Sequence, residues 1–261
     1  ECAFSYCSNL RTIICHAPTA PSLASSNIFS SLPYYGTLVY PEGSDYSSWL
    51  KTDNSYLGYY RWNEPPIMIK TTHNITSTGE TKICNPVNNI AHVAINGNIY
   101  ANISTTHTFT QTGQYEIIYA LINTTIQTGM LSGITSVVSA VISDEVTSIG
   151  PGLFSGCTKL EQFNIPNSVT SINGDTFNNC SGLIGELIIP DSVTSIGNYA
   201  FNNCLGLTGE LIIPDSVTSI GNCAFYNCSG LTGELIIPDS VTSICASAFV
   251  GCTSLTSVEI G

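Results

Sequence analysis

A mainly β solenoid with short helical or 3₁₀ turns is the fold this sequence predicts, on three observations. The stretch GELIIPDSVTSIGNYAFNNCLGLT, which begins at Gly185, returns almost unchanged at Gly209 and Gly233. Within each unit the ELIIP and VTSI segments are rich in β-branched and aliphatic residues and bounded by Gly, Pro, Asn and Asp, the signature of short strands joined by turns. No apolar run approaches 18 residues, so none is long enough to span a bilayer. A unit this short cannot bury its own apolar side and must stack on its neighbours, which puts function on a face and not in a pocket.

Each element follows from the phase of the repeat. The isoleucine of the TSI triplet recurs at Ile149, Ile172, Ile196, Ile220 and Ile244, and the phase extends back to Ile126 in steps of 23 or 24 residues. Six turns therefore run from about Thr124 to Gly261. One apolar column is Leu131, Phe154, Phe177, Phe201, Phe225 and Phe249, and a second is Ile134, Cys157, Cys180, Cys204, Cys228 and Cys252. The DTFNN and NYAFNN segments read as single helical or 3₁₀ turns. The longer units replace Leu160 to Phe163 by Leu207-Thr-Gly-Glu-Leu211, which brings in Gly185, Gly209 and Gly233. With strands about 4.8 Å apart, six coils make a rod of roughly 30 Å.

The order C-x-x-L, an I-P strand, V-x-x-I and A-F-x-x-C resembles the BspA-type leucine-rich repeats of bacterial surface proteins, also found on some mucosal protists. The resemblance covers the six turns and one fragment, Ala3 to Leu10. The asparagine ladder of other leucine-rich repeat classes is absent and cysteine stands in its place, so ligand contacts of those classes do not carry over. The resemblance implies a leucine-rich repeat solenoid at the cell surface or outside the cell, engaged in adhesion or matrix contact, and it names no ligand.

Three segments are expected. Residues 1–65 read as the end of an earlier repeat block, closed by a cap in which Tyr40, Tyr46, Trp49, Leu50 and Trp62 cover the exposed terminal coil. Residues 66–123 change to alternating segments around the hairpin signal Asn96-Gly97 and read as a small immunoglobulin-like β-sandwich. Residues 124–261 are the solenoid. The chain opens mid-repeat at Glu1 and stops at Gly261 where a further turn is due, so it reads as a piece of a longer molecule. The lack of a leader or anchor then says nothing about the precursor.

Charge excludes some partners. From Thr124 onward eleven acidic residues face Lys159 alone, a net of −10, against −2 for residues 1–123. That field repels phosphate backbones and anionic lipids, which argues against nucleic acid and membrane surfaces. The cysteine column reads as buried free thiols acting as small hydrophobes. Cys2, Cys223 and Cys245 lie off it, and a bridge between Cys223 and Cys245 is left open. With no histidine after His107, a metal site in the solenoid is not expected.

No catalytic constellation or cofactor motif stands out. His16, His73, His92 and His107 read as exposed loop or strand residues. The columns Glu186, Glu210, Glu234 and Asp191, Asp215, Asp239 give every carboxylate nearly the same surroundings, whereas acid–base pairs need pKa values driven apart. Asn74, Asn102, Asn123, Asn179 and Asn227 begin N-x-S/T sequons that matter only if the source glycosylates secreted proteins.

The strand offers the sharpest binding candidate. If Leu187 and Ile189 face the core, Ile188 points outward, as do Ile212 and Ile236, between Val141 and Asn164 on one side and Glu259 on the other. These isoleucines, with Glu186, Glu210 and Glu234, form an apolar stripe rimmed by acid, and exposed contiguous apolar surface marks interaction sites. The expected function is non-catalytic binding of an extracellular protein or glycan. Two alternatives stay open: a structural spacer presenting other domains, and a carbohydrate-binding role with Tyr34, Tyr35, Trp49, Tyr59, Tyr60 and Trp62 stacking on sugars.

Overall fold

The computed structural model describes residues 12–14, 37–39, 67–100 and 104–261, which fall in two compact units, Glu1–Pro66 and Ile67–Gly261. In the first, β1 (Thr12–Ile14) and β2 (Thr37–Val39) pair in parallel, with Thr12 opposite Thr37. The fragment Ala3 to Leu10, Cys2, His16, Asn102, the cap residues and the candidate sugar-stacking aromatics lie outside the described residues.

The second unit begins with β3 (Met68–Ile75), β4 (Gly79–Lys82), β5 (Ile90–Ile95), β6 (Asn98–Tyr100), β7 (Thr106–Phe109) and β8 (Gly113–Leu121). Asn96 and Gly97, both at positive φ, make the two-residue turn between β5 and β6, as the dipeptide predicts. Next come β9 (Thr125–Ile126), β10 (Val137–Ile142), β11 (Ser148–Ile149), β12 (Ser171–Ile172), β13 (Ser195–Ile196) and β14 (Gly209–Ile212). The last are β15 (Ser219–Ile220), β16 (Leu231–Ile237), β17 (Ser243–Ile244) and β18 (Leu255–Ile260).

An antiparallel sheet runs in the order β10-β3-β8-β5-β6, while β4 and β7 form a separate ribbon. Because β10 belongs to the first coil of the repeat array, the sheet and the solenoid share a strand, and one apolar core runs from Ile67 to Cys252.

In the solenoid the TSI strands stack in parallel, β9 with β11, Ser148 over Thr125 and Ile149 over Ile126, and then β12-β13-β15-β17, each serine over serine and isoleucine over isoleucine. The ELII strands stack as β14-β16-β18, with single bridges Gly185 to Leu207 and Ser139 to Gln162 at earlier coils. Pairing of Ile126 with Ile149 supports the six-turn phase.

The third side of each coil differs from the expected helical turn. Residues 129, 133, 152, 156, 175, 179, 199, 203, 223, 227, 247 and 251 all have positive φ, a rhythm that no right-handed helix contains. These turns instead bond to the next coil. Phe154, Phe177, Phe201 and Phe225 donate backbone N–H groups to Thr176, Ala200, Ala224 and Ala248, at 2.7–2.9 Å. The backbone is thereby satisfied on a side without strands.

Candidate functional site: an isoleucine column rimmed by acid

Alternation along the ELII strand sorts its side chains. Leu187, Leu211 and Leu235 are buried, as are Ile189, Ile213 and Ile237, whereas Ile188, Ile212 and Ile236 are 78%, 72% and 54% exposed. The parallel register sets Ile212 opposite Ile236 and Ile236 opposite Glu259, so the outward isoleucines form a column across the coils. Val141 is exposed near one end of the face, as the sequence predicts.

Glu186, Glu210 and Glu234 lie two residues before each isoleucine and share its face. Each glutamate side chain lies over the following coil. A Cβ built on Gly209 would come within 2.7 Å of the Glu186 Cγ, and one on Gly233 within 2.8 Å of the Glu210 Cγ. The glycines that the longer coil brings in therefore make room for the acidic column. Ser257 donates its hydroxyl to Glu234 at 3.0 Å. Asp191, Asp215 and Asp239 stand exposed just beyond the strands. Among the described residues no cation pairs with any of these six carboxylates; the ion pair found there, Lys70 with Glu116, lies on the β-sheet.

The column breaks at Asn164, in the position that isoleucine holds in the later coils. Its amide folds back on the neighbouring coil, accepting from the Ile142 N–H at 2.6 Å and donating to the Ile142 carbonyl at 2.8 Å. The volume of an outward isoleucine is missing there. A recess of about 180 Å³ remains, lined by Phe163, Asn164, Ile165, Glu186 and Ile188. The sequence shows the break in the column, but not that the asparagine turns away from solvent and leaves a hollow.

The cysteine column is buried and unbridged. The thiols of Cys157, Cys180, Cys204, Cys228 and Cys252 donate to the carbonyls of Leu131, Phe154, Phe177, Phe201 and Phe225 in the preceding coil, at 3.0–3.1 Å. Burial raises each thiol pKa, to about 12 for Cys157 and Cys228. Such protonated thiols are neither nucleophiles nor metal ligands. Cys223 and Cys245 are half-buried free thiols. Among the described residues no group of three His, Cys, Asp or Glu side chains is placed to hold a metal ion, and no helix is long and apolar enough to cross a membrane.

His73 corrects the expectation of exposed histidines: it is fully buried. The strand β3 lies between β10 and β8, so every second side chain, His73 included, faces the core. Its Nε2 lies 2.9 Å from the Thr71 hydroxyl and its Nδ1 2.8 Å from the Ser136 hydroxyl. Thr71 gives its own proton to the Ile117 carbonyl, so it accepts from Nε2–H, and Nδ1 is left to accept from Ser136. Desolvation lowers the His73 pKa to about 4, which holds the ring neutral. The group ties β3 to the first coil.

Comparison with curated proteins gives no match. Among solved structures the chain is similar to a T. pallidum leucine-rich repeat protein, at 30% identity over 52% of this chain and 62% of that one, with a TM-score of 0.48. It is also similar to a leucine-rich repeat protein from Eubacterium ventriosum, at 28% identity over 49% and 34% of the two chains and a TM-score of 0.44. A leucine rich cell surface protein from Faecalibacterium prausnitzii aligns at 19% identity over 99% of this chain and 62% of that one, with a TM-score of 0.39. The chain thus spans about three fifths of the length of the T. pallidum protein. The model of the BspA type leucine rich repeat region, six copies, matches residues 68–184, 105–208 and 183–261. Stacked coils with an in-register cysteine column, matched over all of residues 68–261, make this chain a member of the BspA-type leucine-rich repeat family.

Proposed function

We propose that this chain is a non-catalytic protein of the cell surface or the extracellular space that binds another macromolecule, an extracellular protein or glycan, through its repeat face. The observation that carries the reading is the column of Ile188, Ile212 and Ile236, each more than half exposed on a sheet whose other face is core. Family membership supports it, since proteins of this kind are generally binding or adhesion proteins. Glu186, Glu210 and Glu234 set the charge of the face, which disfavours nucleic acid and anionic membranes. In this reading residues 1–65 end an earlier repeat block, residues 66–123 are an immunoglobulin-like β domain and residues 124–261 present the site.

The test is an array of extracellular matrix proteins and glycans probed with the intact chain and with its Ile188→Ser/Ile212→Ser/Ile236→Ser variant. The substituted side chains are exposed, so the variant is expected to melt with the parent and to lose at least tenfold in affinity for whatever the parent binds, about 1.4 kcal/mol. Equal binding by the variant would remove the face from consideration. Failure of the parent to bind anything on the array would favour a spacer that presents other domains.

A further inference from the structure

The recess at the head of the isoleucine column is a pocket for one side chain, and its lining selects which one. We infer that it takes the lysine or arginine of a partner segment whose apolar residues continue over Ile188, Ile212 and Ile236; this rests on the repeat face being the binding surface. Four features lead there.

Size comes first. About 180 Å³ is well below the roughly 300–1,000 Å³ of small-molecule sites, but it admits a single long side chain. The lining comes second. Phe163, Ile165 and Ile188 supply apolar wall, and Glu186, whose side chain leans over Gly209 of the next coil, is the one charged residue at the edge of the recess. Lysine and arginine are the residues that bury an apolar stem while keeping a cationic head at a polar rim.

The third feature is that the polar wall is already committed. Both ends of the Asn164 amide are tied to the Ile142 backbone, so Asn164 shapes the recess without competing for the ligand. The Phe163 ring is held at 4.1 Å from Phe177, which fixes the floor. Fourth, the column of Glu186, Glu210 and Glu234 places like charges at equivalent positions of neighbouring coils, with no cation against them among the described residues. The register sets Glu210 opposite Thr232 and Glu234 opposite Ser257, so the carboxylates have no opposing charge, and an incoming ammonium or guanidinium meets a face of complementary sign. The same charge disfavours a second copy of this acidic chain as the occupant.

The experiment uses the intact chain and three capped fluorescent peptides. All alternate valine and threonine, and they begin with lysine, with ε-acetyl-lysine, which keeps the stem and loses the charge, or with glutamate. The lysine peptide is expected to bind about tenfold more tightly than the acetyl-lysine peptide, the weight of a charge-assisted hydrogen bond, and the glutamate peptide more weakly still. In Glu186→Gln, an exposed substitution that leaves the shape unchanged, the lysine preference is expected to vanish, whereas Glu234→Gln, two coils away, retains most of it. Asn164→Ile fills the recess while lengthening the apolar column. It is expected to abolish the lysine preference, although a simple apolar stripe would bind better for it.

Absence of binding by the lysine peptide, equal affinity for the lysine and acetyl-lysine peptides, or a preference unchanged in Glu186→Gln would overturn the proposal. Ile212→Ser/Ile236→Ser separates it from the parent reading, because loss of affinity for both peptides together with a kept lysine preference supports both. A lysine preference in the parent with no effect of Ile212→Ser/Ile236→Ser would leave the pocket standing and sink the face.

Discussion

Each ladder thiol has its proton directed at a carbonyl of the preceding coil, and that arrangement fixes how the protein responds to alkali. An unfolded cysteine ionises near pH 8.5, whereas burial holds Cys157 and Cys228 protonated to about pH 12 and raises Cys180, Cys204 and Cys252 as well. The native state therefore binds more protons than the unfolded state above roughly pH 8.5, so stability present below that pH is lost as pH rises. Urea midpoints are expected to fall steeply from pH 8.5 to 11; a flat profile would show that the thiols are not protected. Alkylation of the native chain is expected to spare Cys84, Cys157, Cys180, Cys204, Cys228 and Cys252 and to modify Cys223 and Cys245. Cys204→Ala removes both packing and a hydrogen bond, and is expected to cost about 1–3 kcal/mol in urea unfolding. Acid acts through His73. Its pKa is about 4 when folded against 6.5 when free, so the unfolded state binds the extra proton between those values, and up to roughly 3 kcal/mol is lost as pH falls from 6.5 towards 4. His73→Gln, with no proton to gain, is expected to flatten that acid limb in a midpoint-against-pH series.

At the scale of the coil, close backbone stacking explains which glycines matter. A Cβ on Gly206 would lie 2.3 Å from the Leu183 carbonyl oxygen, and one on Gly230 2.4 Å from that of Leu207, contacts that backbone cannot yield without separating the coils. Gly209 meets only the flexible Glu186 side chain, at 2.7 Å. Gly206→Ala is thus expected to cost about 1–3 kcal/mol or more, and its clash exceeds that of Gly209→Ala, whose cost is chiefly its positive φ; thermal melts of the two would reverse the assignment if the order were opposite. The strands, the phase and the outward isoleucines were legible because period-2 alternation and β-branched composition are local signals. The third side was not, since DTFNN and NYAFNN resemble helical turns until the positive φ at Asp175, Asn179, Tyr199 and Asn203 is seen. Among the signals in the sequence was glycine at 129, 133, 152 and 156, the same offsets in the earlier coils. His73 was misread because its burial depends on β10, where its partner Val137 lies 64 residues further along the chain. The recess at Asn164 escaped for a like reason, as it is made by an amide bonding to Ile142 in another coil.

For the whole unit, shape and charge act together. The stacked phenylalanine rings of Phe154, Phe177, Phe201, Phe225 and Phe249, 5.2–5.5 Å apart, keep the coils in register, so identical side chains recur from coil to coil on the surface. The outcome is a face with one apolar column and carboxylates on both flanks. Because those carboxylates face solvent with no cation against them among the described residues, partner affinity is expected to fall as salt rises from low to physiological strength and beyond. Salt-independent binding would indicate that the acidic columns play no part. The most direct measurement is methyl NMR of isoleucine-labelled protein titrated with a partner from the binding array. Shifts or broadening are expected at the δ1 methyls of Ile188, Ile212 and Ile236, with the buried TSI isoleucines Ile172, Ile196 and Ile220 unmoved. Perturbation confined to another surface, with those three methyls unchanged at saturation, would contradict the assignment of the repeat face as the binding site.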